Sequence, residues 1–292
     1  MPVTESPLRY PGGKTQMKKF IIDLIQTNIS EYKSKSYVEP FAGGAGLALS
    51  LLFSEYVSEI HINDYDRNIY GIWYSILNCP NEFISLIEET PITLTEWEKQ
   101  QRIRNEDVDL LKTSFATFFL NRTNVSGIID GGPIGGRAQK SKYKLDCRYN
   151  KEKLIQKVNR IHSFKDRIHL TNKDAEDFIC NDISQMDDSS TFVFFDPPYY
   201  KQGKNLYTNY YNHDDHVSLS RKILNLRNYK WITTYDDHEA IREIYSSQTI
   251  RQYSLNYSAN KVRKASEFLI HNDNTIIPNS NNIIFTDEMS MK

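Results

Sequence analysis

The stretch Phe192-Val193-Phe194-Phe195-Asp196-Pro197-Pro198-Tyr199-Tyr200 decides the fold, because an apolar run ends there at a carboxylate, two prolines and two tyrosines. The run has the length and residue types of a strand that is buried on both faces. Proline cannot continue a ladder, and it disfavours helical geometry in the residue before it. We therefore predict that Asp196 lies at the carboxyl end of a central strand. In open α/β sheets ligands bind at that edge, and a carboxylate beside an aromatic face suits a flat ligand with an amino group.

A second stretch, Tyr37-Val38-Glu39-Pro40-Phe41-Ala42-Gly43-Gly44-Ala45-Gly46, precedes the apolar run Leu47 to Phe53. The order strand, glycine-rich turn, helix is typical of the first βα unit of a nucleotide-binding sheet, although the spacing is not the dinucleotide pattern GxGxxG. The next predicted strand, Ile60 to Asn63, ends at Asp64, where an acid binds ribose hydroxyls. These features predict an adenosine-containing cofactor; the alternative is a glycine turn and a strand-end aspartate without a ligand.

The amino-terminal segment Tyr10-Pro11-Gly12-Gly13-Lys14 is a loop in front of an amphipathic helix. The phosphate-loop pattern GxxxxGK[ST] is not satisfied, because Leu8 stands where its first glycine belongs. The glycines still allow the backbone to approach a ligand closely, and Lys14 can bring a positive charge to it.

Charge is distributed unevenly along the chain. The net charge is −1, yet residues 137–167 contain eleven Lys or Arg and three Asp or Glu. This basic segment follows a predicted helical region, Arg67 to Arg122, and a glycine-rich loop, and Tyr143 and Tyr149 lie within it. The pattern favours contacts to a polyanion. A solvated basic helix is the alternative.

Composition narrows the class of protein. The chain has 292 residues, of which 39% are hydrophobic and 25% charged, as in ordinary globular proteins. It contains no apolar run of the roughly 20 residues that a membrane span requires, and no signal-peptide core, so we expect a cytoplasmic protein. Cys79, Cys147 and Cys180 lack the paired spacing of a zinc site, and we expect reduced thiols and no metal.

The remaining strands are predicted near Ile168 to Thr171 and Trp231 to Thr234, and a terminal hairpin from Ile250 to Tyr257 and Ser266 to Ile270. The Asn-rich tail after Asn272 is expected to be peripheral.

Five motifs in this order resemble the Dam-type, alpha-class adenine-N6 DNA methyltransferases: Pro11-Gly12-Gly13-Lys14, Glu39-Pro40-Phe41-Ala42-Gly43-Gly44, Asn63-Asp64, Asn121-Arg122 and Asp196-Pro197-Pro198-Tyr199. The resemblance covers roughly residues 7–273. It implies an α/β fold, a Rossmann-like sheet of seven mostly parallel strands with one reversed, and S-adenosylmethionine as methyl donor. It also implies an inserted, mainly helical target-recognition domain, which we place at 67–155 between catalytic parts at 1–66 and 156–292. The motif of the family that follows Asn-Arg is altered here to Val125-Ser126-Gly127-Ile128, so the recognition sequence stays open.

The resemblance also implies the site residues. The expected cofactor contacts are Tyr10, Lys14, Glu39, Phe41, Ala42, Gly43, Gly44, Asp64, Asp174 and Asp196. The expected catalytic residues are Asp196, Pro197, Pro198 and Tyr199. The expected contacts to double-stranded DNA are Asn121, Arg122, Arg137, Lys140, Lys142 and Lys144. The setting would be a bacterium or a phage, and a cognate restriction endonuclease is left open.

The residue types suit this chemistry. The adenine amino group is a poor nucleophile, and the Asp196 carboxylate and the Pro197 carbonyl can each accept one of its hydrogens. The target base must leave the duplex, and Tyr199 would offer it a stacking face. Tyr200, Tyr207, Tyr210 and Tyr211 could close over it, or be ordinary surface tyrosines. Two rival interpretations remain: methylation of RNA or protein, and a non-catalytic DNA-binding relic of the fold.

Overall fold

The structure is a computed structural model that describes residues 4–10, 12–31, 34–106, 109–201, 211–257, 263–279, 283 and 285–289. The predicted contacts of Tyr207 and Tyr210 with the base lie outside the described residues.

One sheet organises the fold, with the strand order β3-β2-β1-β4-β5-β7-β6-β8. The strands are β1 Ser36–Glu39, β2 Glu59–Asn63, β3 Ile168–Thr171, β4 Thr191–Phe195, β5 Lys230–Asp236, β6 Thr249–Tyr257, β7 Arg263–His271 and β8 Phe285–Met289. Strands β1 to β5 are parallel to one another, whereas β7 pairs antiparallel with β5 and β6, and β8 pairs antiparallel with β6. The α/β class, the mostly parallel sheet and the terminal hairpin are confirmed.

Helices cover both faces of the sheet. In chain order they are α1 Lys18–Asn28, α2 Gly46–Phe53, α3 Arg67–Asn78, α4 Pro80–Glu89, α5 Leu94–Asn105, α6 Leu110–Thr123, α7 Lys151–Ser163, α8 Ala175–Asn181, α9 His213–Asn225 and α10 Glu239–Ile244. Phe192 and Phe194 belong to a core with side chains of α1, α2 and α3, and Val193 and Phe195 to a second core with side chains of α8, α9 and α10. The alternation along β4 confirms a strand that is buried on both faces.

The inserted helices do not form a separate core. Phe83 of α4, Trp97 of α5 and Phe118 of α6 are buried in the same cluster as Phe192 of the sheet. After α6 the chain enters a loop of turns, and α7 returns it to the sheet at β3. The insert is therefore packed against the sheet and shares its core.

The prediction for the tail was wrong. Ile283 is buried, and β8 pairs antiparallel with β6 as an eighth strand. Phe285 packs its ring against Phe20 and Tyr253, at centroid distances of 6.0 and 6.5 Å. This strand is difficult to predict from the sequence because the residues around it are polar. Its short apolar pieces become buried only when they pair with and pack beside the neighbouring strand. Among the described residues, no helix is both long and apolar enough to cross a bilayer.

Candidate active site

Asp196 lies directly after β4, at the carboxyl edge of the sheet, as predicted. Nζ of Lys14 is 3.0 Å from Oδ1 of Asp196, and the hydroxyl of Thr234, on the neighbouring β5, donates to the same oxygen at 2.7 Å. Burial raises the pKa of Asp196, and the charge of Lys14 and the Thr234 hydrogen bond oppose that rise. The side chain is still 24% exposed, so a ligand can reach it.

The Lys14 ammonium belongs to a buried network. It lies 2.7 Å from the hydroxyl of Tyr199 and 3.8 Å from Oε2 of Glu267, whose side chain is 1% exposed. Tyr199 and Tyr253 each donate a hydroxyl hydrogen bond of 2.6 Å to the Glu267 carboxylate. The network ties the amino-terminal loop to β4 and β7, and it orients Lys14 towards Asp196.

The place of Tyr199 differs from the expectation of an open stacking face. Its side chain is buried, with 7% exposure, and its hydroxyl is held by Lys14 and Glu267. Pro198, and not Tyr199, lines the cavity in front of Asp196. A base could stack on the Tyr199 ring only if a ring face became uncovered, because the side chain is 7% exposed.

Asp236, at the end of β5, fixes the chain after the Asp-Pro-Pro-Tyr motif. Its carboxylate accepts the backbone N–H groups of Tyr200 and Lys201 at 2.8 and 2.9 Å. Proline at two of the preceding positions fixes φ there, so the backbone on both sides of the motif has little freedom.

The glycine turn after β1 is held by Asp64. One carboxylate oxygen accepts the N–H of Gly43 at 2.8 Å, and the other accepts the N–H of Asp66 at 2.9 Å. Burial, and the neighbouring charge of Asp66, raise the pKa of Asp64 to about 7. Trp73 donates its indole N–H to the carbonyl of Gly43 at 3.0 Å, which fixes the turn from the other side.

Gly43 must be glycine for two reasons. Its φ is +46°, in the left-handed region, and a Cβ there would lie 2.6 Å from the ring of Tyr10. Tyr10 therefore packs directly on the turn. This contact joins two of the sequence motifs into one surface.

Glu39, the last residue of β1, is buried beside the turn. Burial raises its pKa to about 8, although a hydrogen bond from the Tyr37 hydroxyl, 3.0 Å long, favours the charged form. Asp174 takes a different place at this edge: it is exposed and caps α8 by accepting the N–H of Glu176 at 2.8 Å.

These residues line one open cavity of about 1090 Å³. The predicted site residues on its wall are Tyr10, Lys14, Glu39, Phe41, Ala42, Gly43, Gly44, Asp64, Asp174, Asp196, Pro198 and Arg122. The volume lies slightly above the usual range for ligand sites, ~300–1,000 Å³. This one cavity contains a glycine turn that a ligand can approach closely, acids at strand ends and the Asp196 carboxylate. The combination fits an adenosine-containing cofactor beside a second ligand.

Asn121, which was predicted to contact DNA, is buried, with 1% exposure, and its side chain forms hydrogen bonds within the protein. Its amide oxygen accepts the N–H of Arg9 at 2.8 Å, and its amide nitrogen donates to the carbonyls of Arg9 and Gly127 at 2.9 Å. Because its polar atoms are used in this way, Asn121 positions the residues on either side of it.

Arg122 lies beside the cavity within a group of cations. Burial, and the nearby charge of Arg9, lower the pKa of Arg122 to about 10. The pKa of Arg9 is lowered by burial and by Arg148, and that of Lys157 by burial and by Arg122. The guanidinium groups of Arg9 and Arg122 donate to backbone carbonyls, of Asn124 and Pro7 respectively. We call Arg9, Arg122, Arg148 and Lys157 the inner cation group.

The other predicted DNA contacts lie on the exposed loop outside the cavity wall. Arg137 pairs with Glu98 at 2.8 Å and lies over the ring of Trp97. Lys140, Lys142 and Lys144 are exposed, and Nζ of Lys142 lies 5.9 Å from the ring centre of Tyr143. Tyr143 and Ser141 of the same loop reach the cavity wall, so the basic segment and the cavity are continuous.

A sequence model of the D12 class N6 adenine-specific DNA methyltransferases matches residues 10–259. The chain belongs to this family. The match spans all five motifs at the cavity and its rim. This protein is therefore a site-specific adenine DNA methyltransferase, and its substrate is DNA.

Two curated relatives support the assignment of this methyltransferase. The Type II methyltransferase M.MjaIII of Methanocaldococcus jannaschii is 25% identical over 235 residues, 73% of this chain and 77% of the relative. The Type II methyltransferase M.CviBI of Paramecium bursaria Chlorella virus NC1A is 24% identical over 265 residues, 86% of this chain and 90% of the relative.

Among solved structures, the methyltransferase is similar to the rRNA methyltransferase aviRa from Streptomyces viridochromogenes, at 11% identity and a TM-score of 0.38, over 91% of this chain and 88% of that one. A SAM-dependent methyltransferase from Agrobacterium tumefaciens matches at 10% identity and a TM-score of 0.42, over 89% and 62%.

Sequence reasoning missed several residues of the methyltransferase site: Arg9, Trp73, Arg148, Thr234, Asp236 and Glu267. Three of them carried a signal. Thr234 and Asp236 lie at the end of the strand predicted from Trp231, and Glu267 directly precedes the apolar run Phe268 to Ile270. Such buried polar residues require partners, which is a reason to look for them.

Proposed function

We propose that Asp196 is the catalytic acceptor for the adenine N6 amino group, and that Lys14 and Thr234 hold it. Both contacts of Asp196 use Oδ1. The carboxylate keeps Oδ2 to accept one N6 hydrogen, and the carbonyl of Pro197 is proposed to accept the other. This pairing orients the nitrogen and shifts electron density onto it, and such positioning can remove much of the barrier.

The cofactor is proposed to be S-adenosylmethionine, bound by the glycine turn. When bound, it supplies an activated methyl group. The cofactor product after transfer of this group is S-adenosylhomocysteine. Asp64 would accept the ribose hydroxyls while it keeps Gly43 in place, and Tyr10, Lys14 and Phe41 would line the same side. Glu39, Ala42, Gly44 and Asp174 complete the proposed cofactor set. The contact of Tyr10 with Gly43 and the two hydrogen bonds of Asp64 support this assignment.

The target adenine must leave the duplex to reach Asp196, because N6 is paired and stacked within it. The space beside Pro198 is proposed to receive the base. Tyr199 is proposed as a stacking partner once a face of its ring is uncovered, and Tyr200 and Tyr211 are proposed to close over the base; of these two, Tyr211 lines the cavity. Tyr211 packs edge-on against Phe41, with ring centroids 6.1 Å apart.

The inner cation group is proposed to bind the DNA backbone beside the flipped nucleotide. Within the described part of the chain, no carboxylate lies within 4.0 Å of the guanidinium groups of Arg9, Arg122 and Arg148. These cations repel one another, and a bound phosphate would offset that repulsion and accept their hydrogen bonds. Arg137, Lys140, Lys142 and Lys144 would add outer contacts, and Asn121 would position Arg9 of the inner group.

Segment 67–155 is proposed as the target-recognition part, between the catalytic parts 1–66 and 156–292. Helix α7, Lys151–Ser163, crosses the second boundary, so recognition and catalytic parts share a rigid element. The recognition sequence, and a cognate restriction endonuclease as partner, are separate questions.

Substitution of Asp196 tests the central assignment. We expect Asp196→Ala to abolish transfer of tritiated methyl groups to duplex DNA, while the circular dichroism spectrum stays that of the native protein. The control is Asp166→Ala, on an exposed turn, which we expect to keep activity. Retained methyl transfer by Asp196→Ala would refute the role of the carboxylate. Calorimetric titration of both variants with S-adenosylmethionine separates a loss of chemistry from a loss of cofactor binding.

A further inference from the structure

A group of imidazole and carboxylate side chains lies at the β3 edge of the sheet, away from the methyl-transfer cavity. The strands β2 and β3 are parallel, with His61 in register with His169. Because side chains alternate along a strand, Glu59 is on the same face as His61, two residues on. The topology thus brings Glu59, His61 and His169 together.

The ligand atoms of these three side chains converge. Nε2 of His61 is 3.2 Å from Oε1 of Glu59, and Nε2 of His169 is 3.0 Å from Oε2. All three ligand atoms lie within 4.8 Å of one another. Around a tetrahedral ion with bonds of about 2.0–2.1 Å, ligand atoms are roughly 3.3–3.5 Å apart, so only small shifts would be needed.

A further contact orients the carboxylate. The hydroxyl of Ser36, on β1, donates to Oε1 of Glu59 at 2.6 Å. Hydrogen bonds of this kind fix the direction of a metal ligand. The two imidazole rings are themselves aligned, with centroids 4.3 Å apart and planes 21° apart.

The group is also accessible. The side chains of Glu59, His61 and His169 are 36%, 19% and 46% exposed. An ion can therefore arrive without unfolding of the sheet, and water can complete its coordination. Two neutral imidazoles and one carboxylate are ligands that suit zinc and its neighbours in the first transition series.

We propose that Glu59, His61 and His169 form a binding site for a divalent transition-metal ion, with Zn²⁺ as the best fit, which clamps the edge strand β3 to β2. Glu59 is the first residue of β2, whereas Asn63, the last residue of β2, lines the methyl-transfer cavity. The ligand nearest to Asn63 is His61, two residues before it, about 7 Å at ~3.3 Å per residue, and none of the three ligands lines the cavity. The ion is thus structural, and methyl transfer does not depend on it.

Calorimetric titration of the chelator-treated full chain with Zn²⁺ tests the site, with the thiols alkylated because Cys147 and Cys180 are exposed. We expect one saturable ion per chain. His169→Ala and Glu59→Gln should each weaken it at least tenfold, since each removes a ligand. His162→Ala is the control, because its ring bonds the Leu77 carbonyl outside the site.

Two further measurements separate a metal site from a hydrogen-bonded cluster. Zn²⁺ should raise the melting temperature of the wild-type chain and not of His169→Ala, because an ion that binds only the folded state stabilises it. Co²⁺ should give the absorption bands of a nitrogen and oxygen site without thiolate charge transfer. Absence of saturable binding, or equal binding by His169→Ala, would show that the three residues only bond one another. Methyl transfer should be unchanged in His169→Ala, which confirms that the variant folds.

Discussion

Nζ of Lys14 lies 3.0 Å from Oδ1 of Asp196, and both side chains reach this contact from loops that are far apart in the sequence. Lys14 follows the amino-terminal glycines, and Asp196 directly follows β4. The contact places a positive charge beside the acceptor of the proposed reaction. The charge of Lys14 favours the ionised carboxylate and so opposes burial, which raises the pKa of Asp196.

Removal of the Lys14 charge should therefore shift the pH dependence of catalysis. The cation lowers the pKa of Asp196 against the effect of burial, so Lys14→Met should raise that pKa. The acid limb of kcat should move to higher pH, because the carboxylate must be ionised to accept a hydrogen. The measurement is methyl transfer against pH at saturating cofactor and DNA. Lys140→Met, on the exposed loop, is the matched control, and an acid limb that stays in place would contradict this role.

Thr234 should act on the same carboxylate through its hydroxyl. Thr234→Val removes the 2.7 Å hydrogen bond to Oδ1. A hydrogen bond to a charged group contributes about 1.5–3 kcal/mol, so kcat should fall roughly tenfold or more if the bond is fully formed in the transition state. Thr234→Ser keeps the donor and should restore most of the activity. Equal loss in both variants would indicate a packing role only.

Glu39 should make the stability of the ligand-free protein depend on pH. Its pKa is about 8 when folded and near the ordinary value of 4.5 when unfolded. The raised folded value stabilises the protein below pH 4.5, and this contribution is lost as the pH rises through about 8. Glu39→Gln should thus unfold at higher urea than the wild type at pH 8.5, with a smaller difference at pH 5. A wild-type advantage at pH 8.5 would contradict the assigned shift.

The inner cation group and the exposed lysines should differ in their effects on DNA binding. Each phosphate contact contributes about 0.9 to the slope of log K against log salt. Arg148→Gln should lower the slope by about one contact and reduce methyl transfer as well, since Arg148 lines the cavity. Charge reversal of Lys140, Lys142 and Lys144 together should weaken binding with a smaller slope. Arg137→Gln should change the slope less than these variants, because Arg137 already pairs with Glu98.

An unchanged slope in the triple-lysine variant would assign that loop to a solvated surface. An unchanged slope in Arg148→Gln would remove phosphate as the partner of the inner cation group. Fluorescence anisotropy of a labelled duplex, in a series of salt concentrations, measures both.

Gly127 should be intolerant of any side chain. Its φ is +76°, and a Cβ there would lie 2.2 Å from the carbonyl oxygen of Arg9. Gly127→Ala should therefore destabilise the fold by roughly 1–3 kcal/mol and displace Arg9. Gly132→Ala, in the same loop, is the control, because a Cβ there meets nothing within 4 Å. Equal stability of the two variants in urea unfolding would contradict this account.

The sequence predicts the sheet and the motif positions well because both depend on local pattern. The run before Asp196 is apolar without interruption, and such a run can only be buried between two layers. The partners of Asp196 were harder to predict. Thr234 is separated from it by 38 positions and Lys14 by still more, and only the strand order shows that they meet.

Polar residues were the least predictable part of the site. Asn121 belongs to a motif that the family resemblance places near DNA, yet its amide holds the backbone of Arg9 and Gly127. Tyr199 is similar, since its hydroxyl is tied to Lys14 and Glu267. Residue type shows that a side chain needs hydrogen-bond partners, whereas the fold determines which partners it finds.

The added strand β8 determines what the outer border of the sheet presents to other molecules. It pairs along β6, and Phe285 closes over Phe20 and Tyr253. Without it, β6 would offer unpaired amides and a bared aromatic surface, a template on which a second chain could add its own strand. Truncations that remove residues 285–289, or tags that displace them, should therefore give chains that associate through the exposed edge of β6 instead of a monodisperse protein.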